Sequence, residues 1–347
     1  MRITSRPPTG HCNLPEYMGF LMSEPKSISC TRLAEVMGFS HDSVNRFLLR
    51  ENYQPQDLFN EAQTLLNLSG GTLSVDDTVL DKPYSQQMDL VSHVYSGKHH
   101  RVVKGINVIS LYYTDVQGRH LPVNYRIYVK SENKTKNDYF QEMLAETLTW
   151  GLKPAFITGD SWYGCNPNLK WVRNHPLGFM FAVESNRCVS LEKGTWVQVQ
   201  RLVVPEQGQI VWLREFGWVK LFRTWLKDQP RHYVVYLPDS HLLEAFSKDE
   251  FVKRHQEHWQ IEQYHRMIKQ VCHIEKFQVR KETAIRNHLF AAFCAYVQLQ
   301  RMSVTKLIVN AYQMQQDLFS DVIADFIRSF VVGQEHLYPQ FRPVVNA

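Results

Sequence analysis

The stretch Ser69-Gly-Gly-Thr-Leu-Ser-Val-Asp-Asp-Thr-Val-Leu80 marks a change of structural type. Before it, apolar residues recur at helical spacing; after the glycine pair they read as a strand, predicted over Thr72–Val79. A second strand is predicted over Gly105–Thr114, joined through the turn Asp115-Val-Gln-Gly118 to a third over Leu121–Val129. Helical spacing follows at Asn137–Trp150, a short buried-type strand at Pro154–Thr158, a helix at Asn168–Arg173 and a strand at Gly178–Val183. Antiparallel strands first, then strands alternating with helices, imply an α/β fold built on a mixed sheet.

Downstream, the helix signal vanishes from Arg187 to Asp228, where Trp196–Val204 and Gln209–Trp225 alternate as strands around Pro205 and Gly208. Tyr233–Leu237 resumes as a core strand, and helices follow from Ser247 to Gln270 and from Glu282 to Arg301. The expected organisation is a helical segment over 1–66, a first part of the core over 70–186 and a β-rich insertion over 187–230. Residues 231–301 would complete the core and 302–347 would form a helical tail.

Within the first segment, Thr31-Arg-Leu-Ala-Glu-Val-Met-Gly38 gives a short helix that stops at a glycine, and Ser40 caps a second over His41–Arg50. Residues 31–50 are therefore a helix-turn-helix candidate, with Asp42, Ser43, Asn45, Arg46 and Arg50 on or near the face that could meet a DNA groove. An ordinary helical hairpin reads the same way, and residues 1–66 carry six Lys/Arg against seven Asp/Glu.

Composition narrows the class. The 347 residues are 44% hydrophobic and 21% charged, which is a folded chain rather than a disordered one. No apolar run reaches the roughly 18 residues of a membrane span, and Met-Arg-Ile-Thr-Ser-Arg-Pro-Pro lacks a secretory core; a cytoplasmic protein without a membrane partner is expected. Six scattered cysteines form no Cys-x-x-Cys pair, so reduced thiols are expected rather than a disulfide framework or zinc ribbon. The net charge of +5 allows a polyanionic partner without demanding one.

Three acids stand where acids are costly unless used. Asp76 follows the apolar strand Leu73-Ser-Val75, Asp160 directly follows Phe156-Ile-Thr-Gly159 at a strand's carboxyl end, and Glu262 sits mid-helix. Each alone would serve as a cap, a turn or a solvated side chain. Together, carboxylates from two strands and a helix would suit a pair of hard divalent cations acting on one phosphate. At about 100° per residue, His255, His258, Glu262, Arg266 and Lys269 fall within an arc of roughly 80°, with Ile261, Tyr264, Met267 and Ile268 opposite. One acid among four basic or potentially basic groups suggests a face for a metal and an anion. In the insertion, Trp196, Trp212, Trp218 and Trp225 interleave with Arg201, Arg214, Lys220, Arg223 and Lys227. Basic groups beside aromatics suit unpaired bases, and Trp212 and Trp218 are the candidates for stacking on one; packing in a β-rich unit is the alternative.

These residues carry a family resemblance. Trp259-Gln-Ile-Glu262 with Lys269 resembles the third-carboxylate helix of bacterial insertion-sequence DDE transposases, in the branch with a Tyr-x2-Arg-x3-Glu-x6-Lys signature. Asp76-Asp-Thr78-Val-Leu80 is similar to that family's Asp-x-Thr-x-Leu motif, and Asp160-Ser-Trp-Tyr163-Gly164 to its Asp-x-x-Tyr-Gly motif. The resemblance spans roughly residues 70–300. It implies an RNase H-like core, Mg²⁺ or Mn²⁺, and cut-and-paste transposition of double-stranded DNA from terminal inverted repeats into a target. It further implies a homodimer on the paired ends, a hairpin intermediate and a place at the bacterial nucleoid. Asp76, Asp160 and Glu262 would hold the metals, and Lys269 would contact phosphate near the cleaved bond. Asp77 is the rival for the first position, with Asp76 preferred by the motif spacing. His255 and His258 occupy the signature's Tyr and Arg positions, where a histidine can donate to phosphate but lacks the bidentate fork of arginine; Arg266 would also meet the DNA. Two other classes remain open: a two-metal nuclease or resolvase without strand transfer, and an inactive helix-turn-helix DNA-binding protein.

Overall fold

The computed structural model describes residues 11–26, 28–192 and 194–337; the first ten and last ten residues of the expected helical ends lie outside them. Four short helices come first: α1 (Leu14–Ser23), α2 (Cys30–Met37), α3 (His41–Arg50) and α4 (Pro55–Ala62). Their ends are set by local chemistry. The Asn13, Ser29 and Ser40 side chains accept main-chain N–H groups that the first turns leave unpaired, and Gly38 ends α2 in the left-handed conformation at φ 69°.

The chain then enters the sheet through β1 (Thr72–Asp81), β2 (Ser92–Ser96), β3 (Arg101–Thr114) and β4 (His120–Ile127). After α5 (Lys136–Thr149) come β5 (Phe156–Gly159), α6 (Asn166–Asn174) and β6 (Gly178–Val183). Five more strands follow: β7 (Cys188–Ser190), β8 (Val197–Gln198), β9 (Gln209–Leu213), β10 (Gly217–Leu226) and β11 (Gln229–Tyr236). The helices α7 (Ser240–Ala245), α8 (Lys248–Gln270), α9 (Glu282–Val304) and α10 (Ala311–Leu337) complete the described chain. Among the described residues none of these helices is long and apolar enough to cross a membrane, and all six cysteines are unbridged.

One mixed sheet runs in the order β2-β3-β1-β5-β6-β11-β10-β9-β7-β8, with β4 also paired to β3. β1 pairs antiparallel with β3 and parallel with β5, which in turn runs parallel to β6. The strands of the 187–230 region therefore extend this sheet through β11 rather than standing apart from it. Two expectations there need correction. Trp196–Val204 is no strand beyond its two residues of β8; a 3-10 turn follows at Val199–Arg201. The expected run Gln209–Trp225 breaks into β9 and β10 at a turn where Glu215 takes φ 63°, folding Trp218 back opposite Trp212. Alternation of side chains fixes strand character but not where a hairpin turns.

Period-two alternation along β1 sends its side chains to two different layers. Leu73 and Val75 join Ile109, Leu111 and the α5 and α6 residues Phe140, Met143, Leu169 and Val172 in one core. On the other side, Leu80, Ile106, Val108 and Tyr112 pack with α8, α9 and the N-terminal helices. The expected core face of α8 holds: Ile261, Tyr264 and Ile268 are buried, and Met267 is partly so. Tyr264 stacks on Tyr112 at 4.9 Å, and the Tyr112 and Tyr296 hydroxyls share a 2.7 Å hydrogen bond. This lays α8 against β1 and brings a mid-helix residue over a strand.

Candidate active site

The same alternation that buries Leu73 and Val75 on one side gives β1 a polar row, Thr72, Ser74 and Asp76, on the α8 side. Thr72 donates to Glu257 at 2.6 Å; the Ser74 and Thr158 hydroxyls lie 2.8 Å apart, and Thr158 meets His258 Nδ1 at 3.2 Å. Asp76 ends the row, its carboxylate 3.5 Å from His265 Nδ1 and accepting the main-chain N–H of Asp77 at 2.7 Å. Burial opposes its charge, but hydrogen bonding to His265 and the nearness of His265 and His258 hold its carboxyl below the usual value.

Asp77 faces the opposite layer. Its carboxylate accepts from Asn107 at 2.5 Å, Lys136 at 2.7 Å and Tyr163 at 3.2 Å, so it is fully engaged away from α8. The geometry thus separates the two adjacent aspartates that motif spacing alone could only rank.

Asp160 follows β5, whose Gly159 lies beside Val75 in register, so it sits at the level of Asp76. The preceding glycine is required by close approach: a Cβ on Gly159 would come within 2.7 Å of the Phe181 ring and 2.8 Å of Val75. Trp162 and Tyr163 donate main-chain N–H groups to the Asp160 carboxylate at 3.0 and 3.3 Å. Burial, then the charges of Asp76 and Asp77, outweigh those donors and push the Asp160 carboxyl up to about 7. Glu262 lies on the exposed side of α8; partial burial of its carboxyl and the charge of Asp76 raise it as well, against His265 and Arg266. The charge of Asp76 bears on both Asp160 and Glu262, and that repulsion is what a divalent cation between them would relieve. Among the described residues, no group of three or more His, Cys, Asp or Glu side chains stands ready as a closed metal cage.

Because Asp160 has a folded value above that of the unfolded chain, its stabilising contribution is complete below about pH 4 and lost as pH rises through about 7. In a chelating buffer the unfolding temperature of the wild type is expected to fall between about pH 5 and pH 8 more steeply than that of Asp160→Asn. Equal slopes would show that the carboxyl titrates normally.

Several predicted contacts land elsewhere. His258 is buried beside Thr158, and burial lowers it to about 4 despite Asp76; it is a neutral packing group, not a phosphate-binding cation. His255 shares a 3.0 Å hydrogen bond with Tyr233 and is also lowered, by burial and then by Lys248. Lys269 donates to the Val79 carbonyl at 2.7 Å and lies 3.9 Å from Glu275, tying α8 to β1. Arg266 alone of the five-residue face keeps an exposed cation beside Glu262. An arc of 80° was wide enough to straddle the boundary between helix surface and the sheet beneath it.

His265 was missed. It lies three residues after Glu262 on the same side of α8, just outside that arc, yet it is the side chain that reaches Asp76. Two lysines were read differently or not at all. Lys220, grouped with the exposed bases of the insertion, is buried and donates to the Glu244 and Phe246 carbonyls ahead of α8. Lys82 does the same to Glu275 and Phe277 behind it. Main-chain carbonyls flanking both ends of α8 are thereby held by strand-borne ammonium groups.

The helix-turn-helix expectation also changes. Ser43 is buried, and its hydroxyl accepts the Cys12 N–H at 2.9 Å, so it cannot face a groove. Arg50 binds Glu51 at 2.8 Å and Asn45 hydrogen-bonds His41, leaving Arg46 as the exposed cation of the five, beside the exposed Asp42. Trp212 and Trp218 pack against each other edge to face at 5.2 Å, with Trp218 45% exposed. The Arg214 and Arg223 guanidiniums lie over Trp196 and Trp225.

The mixed sheet places Asp76, midway along β1, level with Asp160 at the end of β5, and Asp76 bears electrostatically on Glu262 of α8. The chain belongs to the transposase DDE domain family, which it matches over residues 69–298, well over half its length. DNA transposition is accordingly its function class. In fold it is similar to the piggyBac transposase in a synaptic complex with hairpin DNA. The TM-score is 0.53 at 12% identity, over 96% of this chain and 72% of that one. A looser overlap, TM-score 0.27 at 9% identity over 55% of this chain and 48% of the other, links it to the Drosophila P element transposase strand transfer complex and carries no weight. No curated protein matches the chain in sequence.

Proposed function

We propose that the chain is a divalent-metal-dependent transposase whose centre is Asp76, Asp160 and Glu262. It would cut double-stranded DNA at the terminal inverted repeats of its element and join the freed ends to a target. The observation that carries this reading is the placement of the acids: the β1–β5 register sets Asp160 level with Asp76, α8 is tied against β1, and the charge of Asp76 raises both Asp160 and Glu262. Oxygen donors of this kind suit Mg²⁺ or Mn²⁺. When bound there, such ions would supply an activated attacking oxygen and a stabilised leaving oxygen.

The protein's own contribution is placement. His265 orients the Asp76 carboxylate, the Trp162 and Tyr163 N–H groups orient Asp160, and Tyr112, Tyr264 and Lys269 hold α8 at its distance from β1. Arg266, exposed one turn beyond Glu262, is positioned to take a phosphate oxygen. Two copies on paired ends, and a hairpin-ended intermediate of the kind named for piggyBac, complete the proposal, with the bacterial nucleoid as its place of action.

The test is nicking of a duplex bearing the element's own termini by purified protein in Mg²⁺; absence of cleavage in every divalent ion would overturn the reading. The role of His265 has its own readout. His265→Ala is expected to raise the metal concentration for half-maximal nicking by about 10- to 100-fold, with His265→Gln recovering much of it. A fall in the limiting rate at unchanged metal response in both variants would make His265 a packing residue only.

A further inference from the structure

The β2–β3 hairpin is unaccounted for by the acidic centre. Residues 92–104, Ser-His-Val-Tyr-Ser-Gly-Lys-His-His-Arg-Val-Val-Lys, contain three Lys/Arg, three His and no Asp or Glu, so this short run holds three charges of a chain whose net is +5. Its tip is solvent-facing: Lys98, His99, His100 and Arg101 are exposed, flanked by Tyr95 and Val102, each 60% exposed. A row of like charges without interleaved acids is not how a merely solvated strand pair is usually built.

Its direction is as informative as its charge. β1 ends where Asp81 pairs with Gly105, but β3 continues to Arg101, paired there only with Ser96 of β2. The hairpin thus projects beyond the sheet on the carboxyl-terminal side of β1, the side onto which Asp76 and Asp160 open. Lys98 and His99 at its tip reach Asp81, five residues beyond Asp76 along β1, which at about 3.3 Å per residue is about 17 Å from Asp76. That span corresponds to roughly five base pairs of duplex at 3.4 Å each.

The hairpin is also braced. Lys104 donates to the Ser85 carbonyl and Lys130 to the His93 carbonyl at 2.7 Å, while a cavity of about 660 Å³ lined by Lys82, Tyr84, Phe277 and Arg280 lies at its base. Tyr84 is 94% exposed at that cavity. Lys98 and His99 rest on Asp81 at 3.3 and 2.9 Å, surface pairs weak enough for a phosphate to displace.

We propose that the β2–β3 hairpin is a backbone clamp for double-stranded DNA, with Lys98 and Arg101 contacting phosphates about five base pairs from the reacting bond. The proposal rests on the DNA-acting reading above and adds a surface to it. Contacts of this kind position the duplex without reading its sequence.

The experiment measures binding of a fluorescein-labelled duplex of arbitrary sequence, longer than two helical turns, over a range of salt concentrations without divalent ions. Lys98→Ala combined with Arg101→Ala is expected to reduce the slope of log affinity against log salt by about 1.8, two phosphate contacts at about 0.9 each. Lys170→Ala, on α6, should leave the slope unchanged, as should the charge-keeping exchange Lys98→Arg with Arg101→Lys. An alanine pair that binds with the wild-type slope would overturn the hairpin proposal alone. So would equal loss in the charge-keeping pair, which would indicate shape rather than charge. A wild-type protein that binds no duplex would instead remove the reading on which it rests. Ethylation interference on a terminus-bearing duplex should place the affected phosphates about half a helical turn from the nick.

Discussion

Asp160→Asn is expected to abolish strand cleavage, with a fall of about three orders of magnitude or more in the rate of nicking, while duplex binding survives. The side chain keeps its shape, so the Trp162 and Tyr163 N–H groups retain an oxygen to donate to. What disappears is the charge. A metal-assisted displacement depends on several kcal/mol of charge stabilisation in the transition state, and each 1.36 kcal/mol corresponds to a factor of ten. The substitution should also make the metal-free protein no less stable at neutral pH, because the wild-type carboxyl, raised to about 7, is charged there at a cost. Lost cleavage with intact binding and intact folding is thus the signature. Cleavage within tenfold of wild type would remove Asp160 from the centre, and with it the proposed pairing of β1 and β5 acids.

The second large effect is on folding. Asn287 on α9 is buried, and its amide nitrogen donates to the Leu48 and Glu51 carbonyls, each at 2.6 Å, at the end of α3. Asn287→Leu keeps the volume but takes the donor from both buried carbonyls. At about 1–3 kcal/mol for each buried polar group left without its partner, the loss should be about 2–5 kcal/mol. Chemical denaturation with the slope compared between variants measures it. A change under about 0.5 kcal/mol would mean that α3 and α9 are joined more loosely than their shared core indicates. The outcome shows how firmly α3 is joined to α9.

Those two residues mark how far the sequence could be read. Asp160 was visible because a strand's carboxyl end is a place where side-chain direction follows from local pattern; Asp76, midway along β1, and the amphipathic split of α8 follow from alternation and helical periodicity. Asn287 was not visible, since an asparagine inside an apolar helix announces nothing about which distant carbonyls it will meet. His258 and His255 failed for a related reason: their helical positions were right, but whether a histidine is a cation depends on what packs over it. Burial beneath the sheet makes His258 neutral, and no spacing rule carries that information.

The sequence by itself carried the family and the longer strands and helices, since each depends on periodicity or on residues within a few positions of one another; it did not show β2 or the break between β9 and β10. Tertiary structure alone decided that Asp76 rather than Asp77 faces α8, that His265 reaches it, that Ser43 is sealed inside and that the tip of a basic hairpin turns back onto Asp81. These follow from register between strands far apart in the chain and from the depth at which a helix settles on a sheet. Both are fixed by packing across many residues at once, where local preference no longer has a say.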